Sequence, residues 1–349
     1  MSADPYASGL PDTHEDVTLE PPPEQPGFGE NHAFWIHDEA TGLHINGHLM
    51  TCEDVGAYDR RITKLTILHP NGRTLLLRES GGVSERRAAV GANLRYGCLQ
   101  PFRRWRCSFR GVMQDVTVPR SYMSGVAPEF HRVPVSFDID TEMGAPAWIQ
   151  GAFTPGGIGP VTNFIGGERY EQLFRASGRL QIGAETIDWS GFGNRTHRYG
   201  RRDLTATAST PRMLGHVWTA ALFPSGAGFG LQAYPTADGG ILWSEGYVIR
   251  GGALVGAEVV KAPWLASYWT RGEPLAIVLR ARDDGELFEI TGQTLGTAIG
   301  ARLPGPNPAE QLSLFQGYAR FALRGESAIN MIERSLRHGA IETGVGRPN

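Results

Sequence analysis

Residues 61–80 read RITKLTILHPNGRTLLLRES. Two runs, ITKLTIL and RTLLLRE, flank PNG, and Asn-Gly between apolar runs is a strong local signal for a β-hairpin. The same style continues outward. On the N-terminal side, HAFWIHDEATGLHINGHLMTCE (32–53) carries two short apolar segments around Gly42. On the C-terminal side come RWRCSFRGVMQDVTV (104–118), with Trp105, Cys107 and Phe109 alternating, and PVSFDIDTEM (134–143). Strand alternation accounts for these positions without any function.

GAFTPGGIGPVTNFIGG (151–167) is rich in Gly and Pro and low in charge, and reads as the junction of two halves. Beyond it, LFRASGRLQIGAETIDWSGFG, HVWTAALFPSGAGFGLQAY, GYVIRGGALVGAEVV, PLAIVLRARDDGELFEITGQT and LFQGYARFALRG repeat the pattern of short apolar runs parted by turn residues. Turn signals every ~8–12 residues predict meandering antiparallel barrels or sandwiches. Only SERRAAVGANL (84–94) and SAINMIERSLRHG (327–339) look helical. The expected fold is therefore all-β. It comprises a Pro-rich extended arm (1–28), a first β domain (29–160) and a second (161–349), with few short helices. No short repeat points to a propeller or solenoid.

Composition agrees. The chain has 349 residues, 46 Gly and 23 Pro, roughly a fifth of all positions against a usual ~12%. A hydrophobic content of 41% with 20% charged residues supports a sizeable core. A net charge of -3 gives no overall basis for binding nucleic acid or anionic lipid. The basic residues are nearly all Arg, only Lys64 and Lys261 being Lys.

Cys52, Cys98 and Cys107 form no metal or disulfide spacing, which favours a reduced compartment. The acidic N-terminus is not a signal peptide, and no apolar run reaches the ~18 residues of a membrane span. A cytoplasmic protein without stable membrane insertion is expected. Its arm leaves room for subunit contact in a homodimer.

The sequence holds no GxSxG elbow, HExxH, Walker A or EF-hand loop. Gly226, Gly228 and Gly230 are spaced wrongly for a dinucleotide loop. His44 and His48 share a face if their segment is one strand, but lack a third ligand, so no metal and no cofactor is assigned.

GFGNRTHRYGRRDL (191–204) stands apart, gathering Arg195, His197, Arg198, Tyr199, Arg201, Arg202 and Asp203 between two apolar strands. As a turn it is either a solvated hairpin tip or, given Trp189, Phe192 and Trp218 nearby, the mouth of a barrel. Here the sequence resembles the double lipocalin-like proteins, a superfamily that includes bacterial carotenoid hydratases, AttH-type proteins and fungal Diels–Alderase-type cyclases. Many bacterial relatives carry G-x-R-D-H-S-W-G-P-R-D-W; Gly193, Arg195, His197, Gly200, Arg202 and Asp203 match it. Glu171 and Gln172 match an upstream E-Q, Glu333, Arg334 and Ser335 a closing E-R-S, and Glu30, Asn31, Phe34 and Trp35 an opening E-N element. Thr196 stands where the family has Asp, the proposed proton donor of the carotenoid hydratases, and Tyr199 where it has Trp.

The resemblance implies a cofactor-free pocket in or between two barrels. The substrate would be an apolar isoprenoid-, steroid- or polyketide-like molecule, and the chemistry hydration or dehydration, isomerisation or cyclisation. Thr196 is a poor general acid, so His197 becomes the first candidate to move a proton, followed by Asp203, Tyr199 and Glu333. Arg195 or Arg202 would stabilise developing negative charge, and Trp35, Phe192 and Trp218 would contact substrate. A carrier of apolar ligands without turnover is the alternative. His197, Arg202 and Asp203 also suit a purely architectural role, since buried polar groups must be paired.

Overall fold

The computed structural model describes residues 4–16, 28–51, 60–82, 88–116, 131–165, 167–201, 213–265, 271–303 and 311–337. Arg202 and Asp203 lie outside them. The described residues are nearly all strand, as the alternation predicts, with two one-turn α-helices, α1 (Thr13–Asp16) and α2 (Thr162–Ile165). No described helix is long and apolar enough to cross a membrane.

The chain divides into two units. The first joins Met1–Ile149 to Gly166–Arg202, and the second joins Gln150–Ile165 to Asp203–Asn349. In the first unit the strands are β1 (Phe28–Asp38), β2 (His44–Thr51), β3 (Arg60–Leu68), β4 (Thr74–Gly82), β5 (Leu94–Gln100), β6 (Arg104–Val116), β7 (His131–Met143), β8 (Trp148–Ile149), β9 (Glu168–Ile182) and β10 (Glu185–Arg201). The pairings run β10-β1-β2-β3-β4-β6-β7-β9, and β9 pairs in turn with β10, returning the path to its start. Gly42, Gly72 and Gly183 take positive φ in the β1–β2, β3–β4 and β9–β10 turns, where a left-handed residue is needed.

This assembly moves the expected boundary at residue 160. The β9–β10 hairpin completes the first sheet: β10 pairs along the whole of β1, and β9 pairs with β7. Its apolar interior gathers Phe34, Ile36, Leu65, Ile67, Trp105, Phe109, Phe137 and Phe174.

The second unit is a closed eight-stranded barrel of β11 (Gly215–Leu222), β12 (Gly228–Pro235), β13 (Ile241–Arg250), β14 (Ala253–Lys261), β15 (Pro274–Ala281), β16 (Leu287–Leu303), β17 (Leu312–Leu323) and β18 (Glu326–Arg337). Its interior is packed with its own side chains, including Phe229 and Phe321 edge to face at 5.3 Å. The buried Glu245 carboxylate accepts hydrogen bonds from the Gly151 and Phe153 amides and the Thr154 hydroxyl, fixing the Gly-rich 151–154 turn.

Two local expectations are corrected. SAINMIERSLRHG is not a helix, since residues 326–337 form β18. Ala328 through Ile332 are buried on both faces, which erases the two-residue alternation and leaves an apolar run that imitates a helix. GFGNRTHRYGR is not a turn but the second half of the 17-residue β10. The arm is not uniformly extended either: Pro5–Ala7 form a 3-10 turn capped by Asp4, and Thr13–Asp16 form α1.

Candidate functional site

Strands β1, β10 and β9 lie side by side, and their registers set polar side chains in rows. His32 faces His197, which faces Tyr170; Phe34, Arg195 and Gln172 form the next row; Glu30, Tyr199 and Glu168 form the row on the other side. Residues directly opposite one another in a sheet share a face. Phe34 and Phe174 belong to the apolar interior, so Arg195, His197 and Tyr199 point inward as well. The interior of the first unit therefore ends in a polar cluster.

His197 is its hub and is wholly buried. Its Nε2 lies 2.5 Å from Glu30 Oε1 and its Nδ1 2.7 Å from the Tyr170 hydroxyl. The His32 ring stacks on it, with centroids 4.1 Å apart. Tyr170 donates its hydroxyl to Glu15. Arg195 Nη2 donates to Glu15 Oε2 at 2.6 Å and to the Gln172 side-chain oxygen. Trp105 Nε1 also donates to Glu15, at 3.1 Å. The Gln172 amide donates to the carbonyls of Tyr6, Phe102 and Ala145.

Burial works to raise the Glu15 carboxyl, but the Arg195 guanidinium and the Tyr170 hydroxyl overcome it and hold Glu15 below its ordinary value. Burial likewise opposes ionisation of Glu30, and the His197 and His32 rings beside it overcome that cost, holding it at about 2. Desolvation, aided by His32, lowers His197 to about 4 against the pull of Glu30. Burial and Glu15 push Tyr170 well above its ordinary value.

Glu15 comes from α1, in the segment read as an arm. Its described residues 4–16 are tied down at several points. Asp4 pairs with Arg103, whose guanidinium lies 3.4 Å from the Tyr6 ring centre; the Ser8 hydroxyl donates to the Ala147 carbonyl; His14 Nε2 lies 2.8 Å from the Tyr199 hydroxyl, which also donates to Glu168.

Two expected substrate contacts, Trp35 and Phe192, do not join this cluster. Both have the opposite parity along their strands and point to the other face. Trp35 packs there against His44 and His48, with ring centres 5.7 and 6.1 Å apart. Phe192 lies beneath Arg175 and lines an open cleft of about 500 Å³ with Glu39, Arg104, Asp140 and Glu142. Such polar walls do not suit an apolar ligand. Thr196 shares Trp35's face and sits opposite Glu171, whose carboxylate accepts from Asn194 Nδ2 at 2.8 Å.

Glu333 and Trp218 belong to the second unit. Trp218, Glu333 and Gln316 form one row across β11, β18 and β17, and His216 lies opposite Ser335 in the row beside it. These residues point away from the packed barrel interior, to which Val217 and Ile332 belong. His216 Nε2 donates to Glu333 Oε1 at 3.0 Å, and Gln316 Nε2 donates to Glu333 Oε2 at 2.7 Å. The Ser335 hydroxyl lies 2.5 Å from His216 Nδ1, and the Tyr234 ring stacks on the His216 ring at 5.7 Å. The result is a hydroxyl–imidazole–carboxylate chain with an aromatic residue on either side.

The expected residues thus fall into two groups, Arg195, His197 and Tyr199 in the first unit, Trp218 and Glu333 in the second. Glu15, His32, Tyr170 and His216 were not singled out in the sequence. Glu30, Gln172 and Ser335 carried a signal through the E-N, E-Q and E-R-S elements.

Comparisons with known proteins agree with this architecture. An AttH-assigned protein of Nitrosomonas europaea superposes with a TM-score of 0.55 at 13% identity, over 91% of this chain and 98% of that one. CghA with Sch210972 superposes with a TM-score of 0.51 at 9% identity, over 95% and 96% of the two chains. At these identities the likeness is one of fold. No curated protein sequence matches the chain. A family model matches residues 12–336, and the chain belongs to that family, the Domain of unknown function DUF7064.

Proposed function

We propose that the protein is an enzyme that moves a proton on an apolar small molecule, at the Glu333–His216–Ser335 chain of the second unit, without an organic cofactor. The observation that carries this reading is the Glu333 carboxylate, fixed by His216 and Gln316 in the row that also holds Trp218. It is the expected carboxylate with both a histidine partner and an aromatic neighbour in register among the described residues. Its side chain keeps 13% of its exposure, whereas His197 keeps none.

The hydrogen bonds of this chain are self-consistent. Ser335 donates to His216 Nδ1, and His216 Nε2–H donates to Glu333. Glu333 can therefore take a proton from a carbon of the substrate while His216 holds its orientation, and return that proton at a second carbon or to a leaving hydroxyl. Isomerisation and dehydration follow from such a step, and hydration is its reverse. The faces of Trp218 and Tyr234 suit an unsaturated or polycyclic skeleton of isoprenoid, steroid or polyketide type, and could also stabilise positive charge in passing. The fold likeness to CghA, seen with Sch210972, supports a small-molecule ligand. The first-unit cluster, with both His197 nitrogens engaged, serves as scaffold in this reading.

The test is deuterium incorporation from D2O into a panel of terpenoid, steroid and polyketide substrates, followed by mass spectrometry. Turnover by the wild type and a loss of about 10²–10⁴-fold in Glu333→Gln, with ligand binding retained, is the expected result. Exchange that survives Glu333→Gln removes the residue from the chemistry. Binding without exchange in the wild type makes the protein a carrier.

A further inference from the structure

We propose that Glu30, His32 and His197 form a binding site for one divalent cation of the zinc class inside the first unit. The donor atoms of the three side chains lie within 4.8 Å of one another, and all three residues are buried. Two imidazole nitrogens and one carboxylate oxygen are the donor set that zinc and its first-row neighbours take. The site belongs to the first unit and does not depend on the reading of Glu333.

Hydrogen-bond bookkeeping leads to the same place. Tyr170 has one hydroxyl proton and gives it to Glu15, which accepts from Arg195 and Trp105 as an ionised carboxylate does. Its oxygen must then accept from His197 Nδ1, 2.7 Å away, so the ring's proton is on Nδ1. The lone pair of His197 Nε2 is left facing Glu30 Oε1 at 2.5 Å, acceptor against acceptor. An electron-poor centre must bridge them. A proton there would serve that pair alone. The His32 ring, however, stacks at 17° to His197 and brings its Nε2, buried and without a hydrogen bond, to 3.4 Å from the same carboxylate oxygen. Three donors converge, and a metal ion satisfies all three. The Nδ1–H to Tyr170 to Glu15 relay is the outer support that ligating histidines carry. Around the second-unit His216 every proton has a place without such a centre.

The ion would tie β1 to β10, strands far apart in sequence. The test uses the full chain, unfolded in guanidinium with a chelator and refolded either with Zn2+ or with the chelator retained. About one Zn2+ per chain by plasma mass spectrometry, and a higher Tm in the zinc-refolded sample, are expected. Refolding with Co2+ should give visible ligand-field absorption, and His32→Gln, which spares the His197 hub, should lose the bound ion while keeping its circular dichroism. If the folded wild type takes up no stoichiometric Zn2+ or Co2+ and ¹⁵N NMR shows His197 protonated on both nitrogens, the centre is a proton and the proposal falls.

Discussion

Glu15 and Arg195 stand 180 positions apart in the chain, yet Arg195 Nη2 lies 2.6 Å from Glu15 Oε2 with both side chains sealed from solvent. Removing one partner of such a buried pair leaves an uncompensated charge, which costs about 3–5 kcal/mol. Glu15→Gln should therefore lower the urea midpoint of the first unit strongly. Glu15→Gln combined with Arg195→Met should recover part of the loss, because no charge is then stranded. An additive double mutant would show that the two residues do not act as a pair.

Removing residues 1–16 makes the same point at the level of the segment. An untethered arm could be cut without effect. This one supplies Glu15 to the interior, His14 to Tyr199 and Asp4 to Arg103. A loss of about 3 kcal/mol in a unit of this size lowers Tm by roughly 6–12 °C, and differential scanning calorimetry of the truncated chain reads it directly.

The pair also sets an acid limit. Glu15 is held below its ordinary value of 4.5 when folded. A carboxyl with a depressed folded value contributes stability that is present in full above the unfolded value and lost as pH falls through the folded one. The wild type should therefore lose stability progressively below about pH 4.5. The Glu15→Gln, Arg195→Met variant should show a shallower acid slope when urea midpoints are compared from pH 7 down to pH 3.

How far the sequence discloses this fold depends on where each residue's partners lie. The hairpin at 61–80 is readable because its turn and its alternation are local. β18 escapes, because strands buried on both faces lose their period, and β10 escapes because its polar residues look like surface until their distant partners are in place. Reading 191–201 as a turn also discards parity, which is why Trp35 and Phe192 were grouped with residues that point the other way. The boundary near 160 follows composition, but strand pairing, which composition does not encode, hands the 168–201 hairpin to the first sheet. Glu333 is accessible through the E-R-S element. His216 is not, since only register shows that it faces Ser335.

Gly193 tests the packing beneath the first-unit cluster. A Cβ there would fall 2.3 Å from both the Phe174 ring and the Trp35 carbonyl oxygen. The ring is fixed in the core and the carbonyl is backbone, so neither yields cheaply. Gly193→Ala should cost about 1–3 kcal/mol, whereas Ala at Gly72, where no atom lies within 4 Å, meets no such contact and pays only for its positive φ. A loss at Gly193 no larger than that at Gly72 in urea unfolding would show that the Phe174 ring and the Trp35 carbonyl give way cheaply, since Gly193 has no positive φ to add to the cost.

Ser335 separates orientation from chemistry at the proposed reacting face. Its hydroxyl fixes His216 Nδ1 as acceptor and leaves Nε2–H aimed at Glu333. Ser335→Ala removes that constraint but leaves the carboxylate and its Gln316 contact in place. Losing one net hydrogen bond of about 1 kcal/mol should reduce turnover only several-fold, well short of the Glu333→Gln loss. His216→Gln, whose amide can still donate, should fall between the two. A Ser335→Ala loss as deep as that of Glu333→Gln would instead make the serine a reacting group, and a trapping reagent that labels Ser335 in the wild type would decide it.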